Sequence, residues 1–427
     1  MDWQPKIIFW ETTRKCNLSC AYCRMPNKKI DRKERQSQKI DCFAPSGLAM
    51  TASHKFQDLE LNTTKVFEVL NDIKDAFGSP IIIFSGGEPL LRNDIFDIIG
   101  HASGIGLPAA LATNGTLLGE KEARSLKKLG IKRVSLSIDS ADEFTHDISR
   151  GVKGAFGKTI IAASILSKFE IPFQINFTVT PKNAAEIRSI AEFAVSLGAS
   201  AVHYFVLVPV GCGREQRSGE MLDPAGTERA LEAIRSVSRE LNIEVRPTCA
   251  PQYIGIAPDS KGGGCLAGTG AFFISAEGDI YPCGYLPVKA GSLHESLVGS
   301  IWRDSETFRR LRLNDLEESS RLAPSRKITA LARTVKDRCG SRLAPAGKTE
   351  ALARTVSDSG NCAKCDLKDA CRGCRARAYS ATGNFMSGDP SCKHKSIRQR
   401  EKGQYYSSSE DKIMGFSIKI GTDPTRI

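Results

Sequence analysis

Three thiols stand close together in KCNLSCAYC: Cys16, Cys20 and Cys23, directly after the apolar run IIFWE. The spacing, C-x3-C-x2-C, is too tight for a disulfide ladder. It is also one ligand short of a structural zinc site, which takes four and favours paired C-x2-C knuckles. Three thiolates on one short loop can instead wrap a corner of an iron–sulfur cubane and ligate three of its four irons. The remaining iron then needs a ligand from outside the loop, which makes the cluster a place for chemistry as well as structure.

A second set follows downstream: Cys265 and Cys283, then Cys362, Cys365, Cys371 and Cys374, then Cys392. Ten of the fourteen cysteines thus fall into groups with ligand-like spacing, and Cys42, Cys212, Cys249 and Cys339 do not. The start, MDWQPKIIFWETT, lacks a basic segment followed by an apolar one, so no secretory signal is expected and the location is expected to be cytoplasmic. In that setting clustered cysteines read as metal binding rather than disulfides. On spacing alone, the two C-x2-C pairs also suit a zinc ribbon.

The elements that must carry these thiols alternate in type. Short β-rich runs (7–11, 81–84, 109–113, 133–138, 173–179 and 201–207) are separated by helical stretches at 63–77, 119–130, 156–169 and 184–198. The helical stretches space apolar residues three and four apart. Six β/α units in this order imply a parallel sheet, doubly wound or curved into part of a barrel. The cysteine loop then lies at the carboxyl end of the first strand, the edge where such folds assemble active sites. A helix at about 223–241 and a strand at 243–247 lead to a turn-rich region, 261–392, expected to be held by metal more than by a core. Residues 395–427 read as a tail.

Charge is concentrated in two places. The chain carries +12, of which residues 24–40 hold +5 and 320–360 hold +6. With the remainder near neutral, a nucleic-acid partner is disfavoured, and the basic segments read as solvated loops or as contacts for an acidic substrate. Residues 25–60 form an insertion or a lid over the site. Residues 320–361 hold a tandem duplication, SRLAPSRKITALARTVKDRCG followed by SRLAPAGKTEALARTVSDSGN. Cys339 has Gly360 as its counterpart there and is set aside as a ligand. No apolar run reaches the roughly 18 residues of a membrane span.

With these features in place, the chain resembles the radical S-adenosylmethionine (SAM) enzymes, whose loop has the form C-x3-C-x-aromatic-C, here with Tyr22 as the aromatic residue. The resemblance implies a partial (β/α)6 barrel over residues 1–210 and a [4Fe–4S] cluster whose open iron binds SAM. The cluster then cleaves SAM to a 5′-deoxyadenosyl radical. It also implies that the backbone around Gly86, Gly87 and Glu88 in SGGEPLLR receives the methionine amino group, since paired glycines allow close approach. Asn114, Ser137 and Asp139 would face the cofactor, and Arg150 would pair its carboxylate; each also reads as a turn or cap residue. An electron donor such as ferredoxin or flavodoxin is implied.

The downstream cysteines resemble the SPASM extension of that family, over 261–394, which implies one or two auxiliary [4Fe–4S] clusters. Cys362, Cys365, Cys371 and Cys392 would hold the outer one. Cys265, Cys283 and Cys374 would hold the inner one, with Cys249 a candidate fourth ligand. The stretches TCAPQYIGI, GCLAGTGAFFISAEGDIYPCGYLPVKAG and CRGCRARAYSATG resemble the porphyrin-modifying members. These imply decarboxylation of tetrapyrrole propionates in heme biosynthesis; the alternative is modification of a ribosomally made peptide. Arg214, Arg217, Arg375 and Arg377 are candidates to pair substrate carboxylates, although RARA also reads as a helix cap.

Overall fold

The computed structural model describes residues 3–25, 60–212, 221–258, 264–312, 362 and 365–393. The interiors of the 25–60 and 320–361 insertions, the 395–427 tail, Arg214, Arg217, Cys42 and Cys339 lie outside the described residues.

Six strands, β1 (Ile7–Glu11), β2 (Ile81–Ser85), β3 (Ala109–Thr113), β4 (Arg133–Ser137), β5 (Phe173–Val179) and β6 (Ala201–Val206), pair in chain order, each parallel to the next. Between them run α1 (Thr63–Phe77), α2 (Ile95–Gly104), α3 (Glu120–Lys128), α4 (Glu143–Arg150), α5 (Ala155–Lys168) and α6 (Ile187–Ser196). The sheet ends in two edges rather than closing, so the barrel is partial. Period-two alternation sorts its faces. In β5, Phe173, Ile175, Phe177 and Val179 are buried in the hydrophobic core. Gln174, Asn176 and Thr178 take the opposite, polar face. α1 shows how the covering layer is built. Asn62 caps it by accepting from Lys65 N at 2.9 Å, Gly78 ends it at φ 76°, and Val66, Val69, Leu70 and Ile73 form its buried stripe.

α7 (Pro224–Glu240) leads to β7 (Glu244–Thr248), a seventh parallel strand beside β6. At the other edge β8 (Ala271–Ile274) pairs parallel with β1, and β9 (Asp279–Tyr281) and β10 (Gly291–Ser292) continue the sheet antiparallel. The C-terminal region is therefore built onto the barrel sheet, and a core holds it as well as any metal. The rings of Phe272 and Trp302 lie 5.4 Å apart and those of Trp302 and Phe308 4.9 Å. This brings α8 (Val298–Asp304) against α1, where Asp72 accepts from Val298 N at 2.7 Å, and α9 (Glu306–Arg312) against α8. Two short helices, α10 (Lys368–Cys371) and α11 (Arg375–Thr382), complete the described chain.

Candidate metal and cofactor site

The cysteine loop leaves the carboxyl end of β1 and is clamped on two sides. On one side the turn after β2 lies against it: Gly87 N donates to Thr13 O and Glu88 N to Lys15 O, both at 2.7 Å. A Cβ on Gly86 would stand 2.6 Å from Thr13 O, and one on Gly87 2.3 Å from Lys15 O. On the other side the end of α4 holds it: Ser19 N donates to Arg150 O at 3.1 Å and Ala21 N to Ser149 O at 3.0 Å. Asn114 reaches it from the end of β3, its Nδ2 donating to Asn17 Oδ1 at 2.9 Å.

Cys16, Cys20 and Cys23 are free thiols near enough to feel one another's charge. Burial pushes Cys16 and Cys23 up to about 12. A cationic centre must drive off the thiol protons, which is how a thiolate-bound metal forms. Three neighbouring thiols on one short loop suit ligands of the separate irons of a cluster, one short of the four a structural zinc takes. The donor set fits a [4Fe–4S] cluster.

Two carboxylates expected at the cofactor are turned inward. Glu88 is wholly buried; it accepts from Thr113 Oγ1 at 2.7 Å, Asn114 N at 2.8 Å and Leu90 N at 3.1 Å. Burial lifts it to about 7 against the pull of those three donors. Its side chain ties the turn after β2 to the end of β3. Asp139 is also wholly buried, paired with Arg150 Nη2 at 2.6 Å, and its N–H donates to His146 Nδ1 at 3.2 Å. The other arm of Arg150, Nη1, lies 3.7 Å from Cys20 Sγ. Arg150 thus meets the cysteine loop directly and Asp139 acts through it. The Tyr22 hydroxyl is buried beside the Asp139 carboxylate; burial, first, and that carboxylate push its pKa up. Ser137 is half-buried at the end of β4 opposite Asn176.

The downstream cysteines form two groups. Cys265, Cys283 and Cys374 come together, and Cys249 joins them, feeling the charges of all three. Cys249 follows β7 in a left-handed conformation, φ 56°, which few residues other than glycine adopt. Cys371 stands with Cys362 and Cys392, and Cys365 N donates to Cys362 O at 3.2 Å. A bond from Cys265 N to Cys371 O at 3.0 Å links the groups.

The two arginines of RARA are engaged by protein: Arg377 is buried against Asp389, and Arg375 Nη1 donates to Phe385 O at 3.0 Å, the whole first turn of α11 from Arg375 to Ala378 being buried. Tyr285 and Arg24, which sequence reasoning passed over, connect the two halves of the site. Tyr285 is half-buried; desolvation, first, pushes its phenol up, and it feels the charges of Cys249, Cys283 and Cys23. Arg24 pairs with Glu11 at 2.7 Å and stacks 4.5 Å over Phe273.

A parallel partial barrel with a three-thiol loop at its carboxyl edge, and a second cysteine group within electrostatic reach of the same half-buried tyrosine, defines a class: iron–sulfur enzymes that activate a bound cofactor. The model of the radical SAM superfamily matches residues 10–194, and that of the SPASM iron–sulfur cluster-binding domain matches 265–325. The chain is 36% identical over 405 residues to the AdoMet-dependent heme synthase of Methanosarcina barkeri (strain Fusaro), covering 91% of this chain and 96% of the relative. It is 25% identical to the Fe-coproporphyrin III synthase of the same organism, over 90% and 87%. Among solved structures, Streptococcus suis SuiB bound to precursor peptide SuiA superposes with a TM-score of 0.60 at 16% identity, over 92% of this chain and 76% of that one. The chain belongs to the radical SAM superfamily and is a radical SAM enzyme carrying a SPASM domain.

Proposed function

We propose that the chain converts two propionate side chains of an iron-bearing coproporphyrin to vinyl groups, the closing oxidative decarboxylation of a heme-forming route. The observation that carries this reading is the end-to-end likeness to a named heme synthase. It covers 91% of this chain and 96% of the relative. Each side chain would lose a hydrogen atom, carbon dioxide and one electron, leaving neutral vinyl in place of carboxylate.

In this reading Cys16, Cys20 and Cys23 hold the first cluster, and the backbone of Gly86, Gly87 and Glu88 receives the cofactor's amino group. Bound there, the cluster and SAM supply a 5′-deoxyadenosyl radical. Arg150, fixed by Asp139, sets the position of Cys20, and Asn114 fixes the turn between Cys16 and Cys20. Cys249, Cys265, Cys283 and Cys374 hold the inner auxiliary cluster, and Cys362, Cys365, Cys371 and Cys392 the outer one. The substrate lies beside Tyr285, between the two halves. Residues 1–210 form the catalytic barrel, 211–260 the bridge and 261–394 the auxiliary-cluster domain. A ferredoxin or flavodoxin supplies electrons in the cytoplasm; among the described residues no helix is long and apolar enough to cross a membrane.

Peptide modification rests on likeness of fold alone and is the weaker reading. Replacing Cys16, Cys20 and Cys23 together by Ala tests the assignment of the first cluster. The variant is expected to retain auxiliary iron while forming no 5′-deoxyadenosine from SAM and dithionite. Undiminished 5′-deoxyadenosine would overturn the assignment.

A further inference from the structure

The inner cysteine group has a buried cation locked beside it. Arg377 is 1% exposed and Asp389 5%. Arg377 Nε donates to Asp389 Oδ1 at 3.0 Å and Nη2 to Oδ2 at 2.9 Å. Asp389 is held in turn from three other directions: Cys374 N donates to Oδ2 at 2.8 Å, and Ser391 N and Oγ donate to Oδ1 at 3.0 and 2.9 Å. One edge of the guanidinium is thereby fixed. The remaining nitrogen, Nη1, is buried with no hydrogen-bond partner among the described residues.

The neighbours of that guanidinium include two of the inner thiols. Cys374 is the N-cap residue of α11 and Arg377 stands three positions further on, in the first turn; the Asp389 oxygen that pairs with Arg377 Nη2 also accepts from Cys374 N at 2.8 Å. Cys249 also lies within reach of the Arg377 charge. A buried ion pair is a poor way to gain stability, since apolar residues of the same volume often do as well. Placing a permanent positive charge against a group of thiolates does something apolar residues cannot. An iron–sulfur cluster gains a negative charge when reduced, and its potential follows net charge, hydrogen bonds to sulfur and exposure. A fixed cation favours the reduced form. The Asp389 carboxylate opposes this at Cys374, where the influence of Arg377 is the larger, so the pair on balance favours the reduced form.

We infer that Arg377, held in place by Asp389, is the positioning residue that raises the reduction potential of the inner auxiliary cluster and so fits it to accept an electron from the substrate. This rests on the proposed reading of the inner group as a cluster site. The electron balance closes within that reading. A side chain that has lost one hydrogen atom gives up carbon dioxide and one electron to become vinyl, and the cluster takes up that electron in a one-electron reduction. The barrel repeats the arrangement at the first cluster, where Asp139 fixes Arg150 and Arg150 Nη1 lies against Cys20 Sγ.

The test is an EPR-monitored redox titration of the full-length, anaerobically reconstituted chain. Arg377→Gln alone strands a buried carboxylate, so the main variant is Arg377→Gln with Asp389→Asn, which removes both charges, and Arg377→Lys is the charge-retaining companion. In the double variant the inner cluster should be at least tenfold harder to reduce at a fixed potential, about 59 mV for one electron. The first cluster should be unmoved, and Arg377→Lys should recover most of the shift. An inner-cluster potential equal to wild type in the loaded double variant, or an equal shift in Arg377→Lys, overturns the inference. Iron content separates this from failure of the underlying reading. If Cys249, Cys265, Cys283 and Cys374 can all be replaced by Ser without loss of iron, the ligand assignment falls instead.

Discussion

Gly87 lies against the main chain of Lys15 so closely that a Cβ there would stand 2.3 Å from the Lys15 carbonyl oxygen. The neighbouring Glu88 N–H bonds that same oxygen at 2.7 Å. The turn after β2 is therefore a mould for the first residues of the cysteine loop, and only glycine leaves room for it. Gly87→Ala should push the loop away from β2 and cost the first cluster. Iron analysis and EPR of the reconstituted variant should show loss of the SAM-responsive signal with the auxiliary signals retained.

Glu88 gives a pH signature. Its folded value of about 7 stands above the ordinary 4.5, so the folded chain holds a proton that the unfolded chain releases. The stability this contributes is complete below 4.5 and is lost as pH rises through 7. Glu88→Gln has no such proton. Anaerobic thermal melts should show wild type losing stability relative to Glu88→Gln between pH 5.5 and 8. A difference that stays constant, or that moves the other way, contradicts an inward-facing Glu88.

Arg150 and Asp139 form the most buried ion pair of the barrel, with side chains 10% and 0% exposed. Arg150→Met leaves the carboxylate without its partner, and breaking a buried pair in this way costs about 3–5 kcal/mol. Denaturant unfolding of the loaded chain is the measurement. Arg150→Met with Asp139→Asn should recover most of the loss in stability but not the position of Cys20, which the EPR line shape of the first cluster reports.

Cys249 should behave as a ligand although its spacing does not mark it. Cys249→Ser is expected to lower iron content and alter the inner-cluster signal alone. Unchanged iron and an unchanged spectrum would return the fourth position of that cluster to an external ligand.

The strands of the barrel were legible because runs such as IIIF and FQINFTV are β-branched, aromatic and bounded by turns. α4 was not legible, for a physical reason. It buries His146 and Arg150 and leaves Phe144 and Ile148 exposed, so its apolar pattern points away from the core. β8 is buried at all four positions, shows no alternation, and takes its place beside β1 from far along the chain. Within the site, spacing revealed the cysteine groups, since ligands on one short loop are close in sequence. It could not reveal that Cys249 joins Cys265, nor that Glu88 and Asp139 face protein. Those facts depend on what lies across the fold: Thr113 and Asn114 for one, Arg150 for the other.

The central claim is tested most directly by the mass of the tetrapyrrole product. The reconstituted chain is incubated anaerobically with SAM, a reductant and iron-coproporphyrin, and the porphyrin is analysed by mass spectrometry. The account predicts a product lighter by two units of carbon dioxide and four hydrogen atoms, two of them abstracted and two the carboxyl protons, carrying two vinyl groups, formed together with 5′-deoxyadenosine. Formation of 5′-deoxyadenosine with both propionates still in place would contradict it.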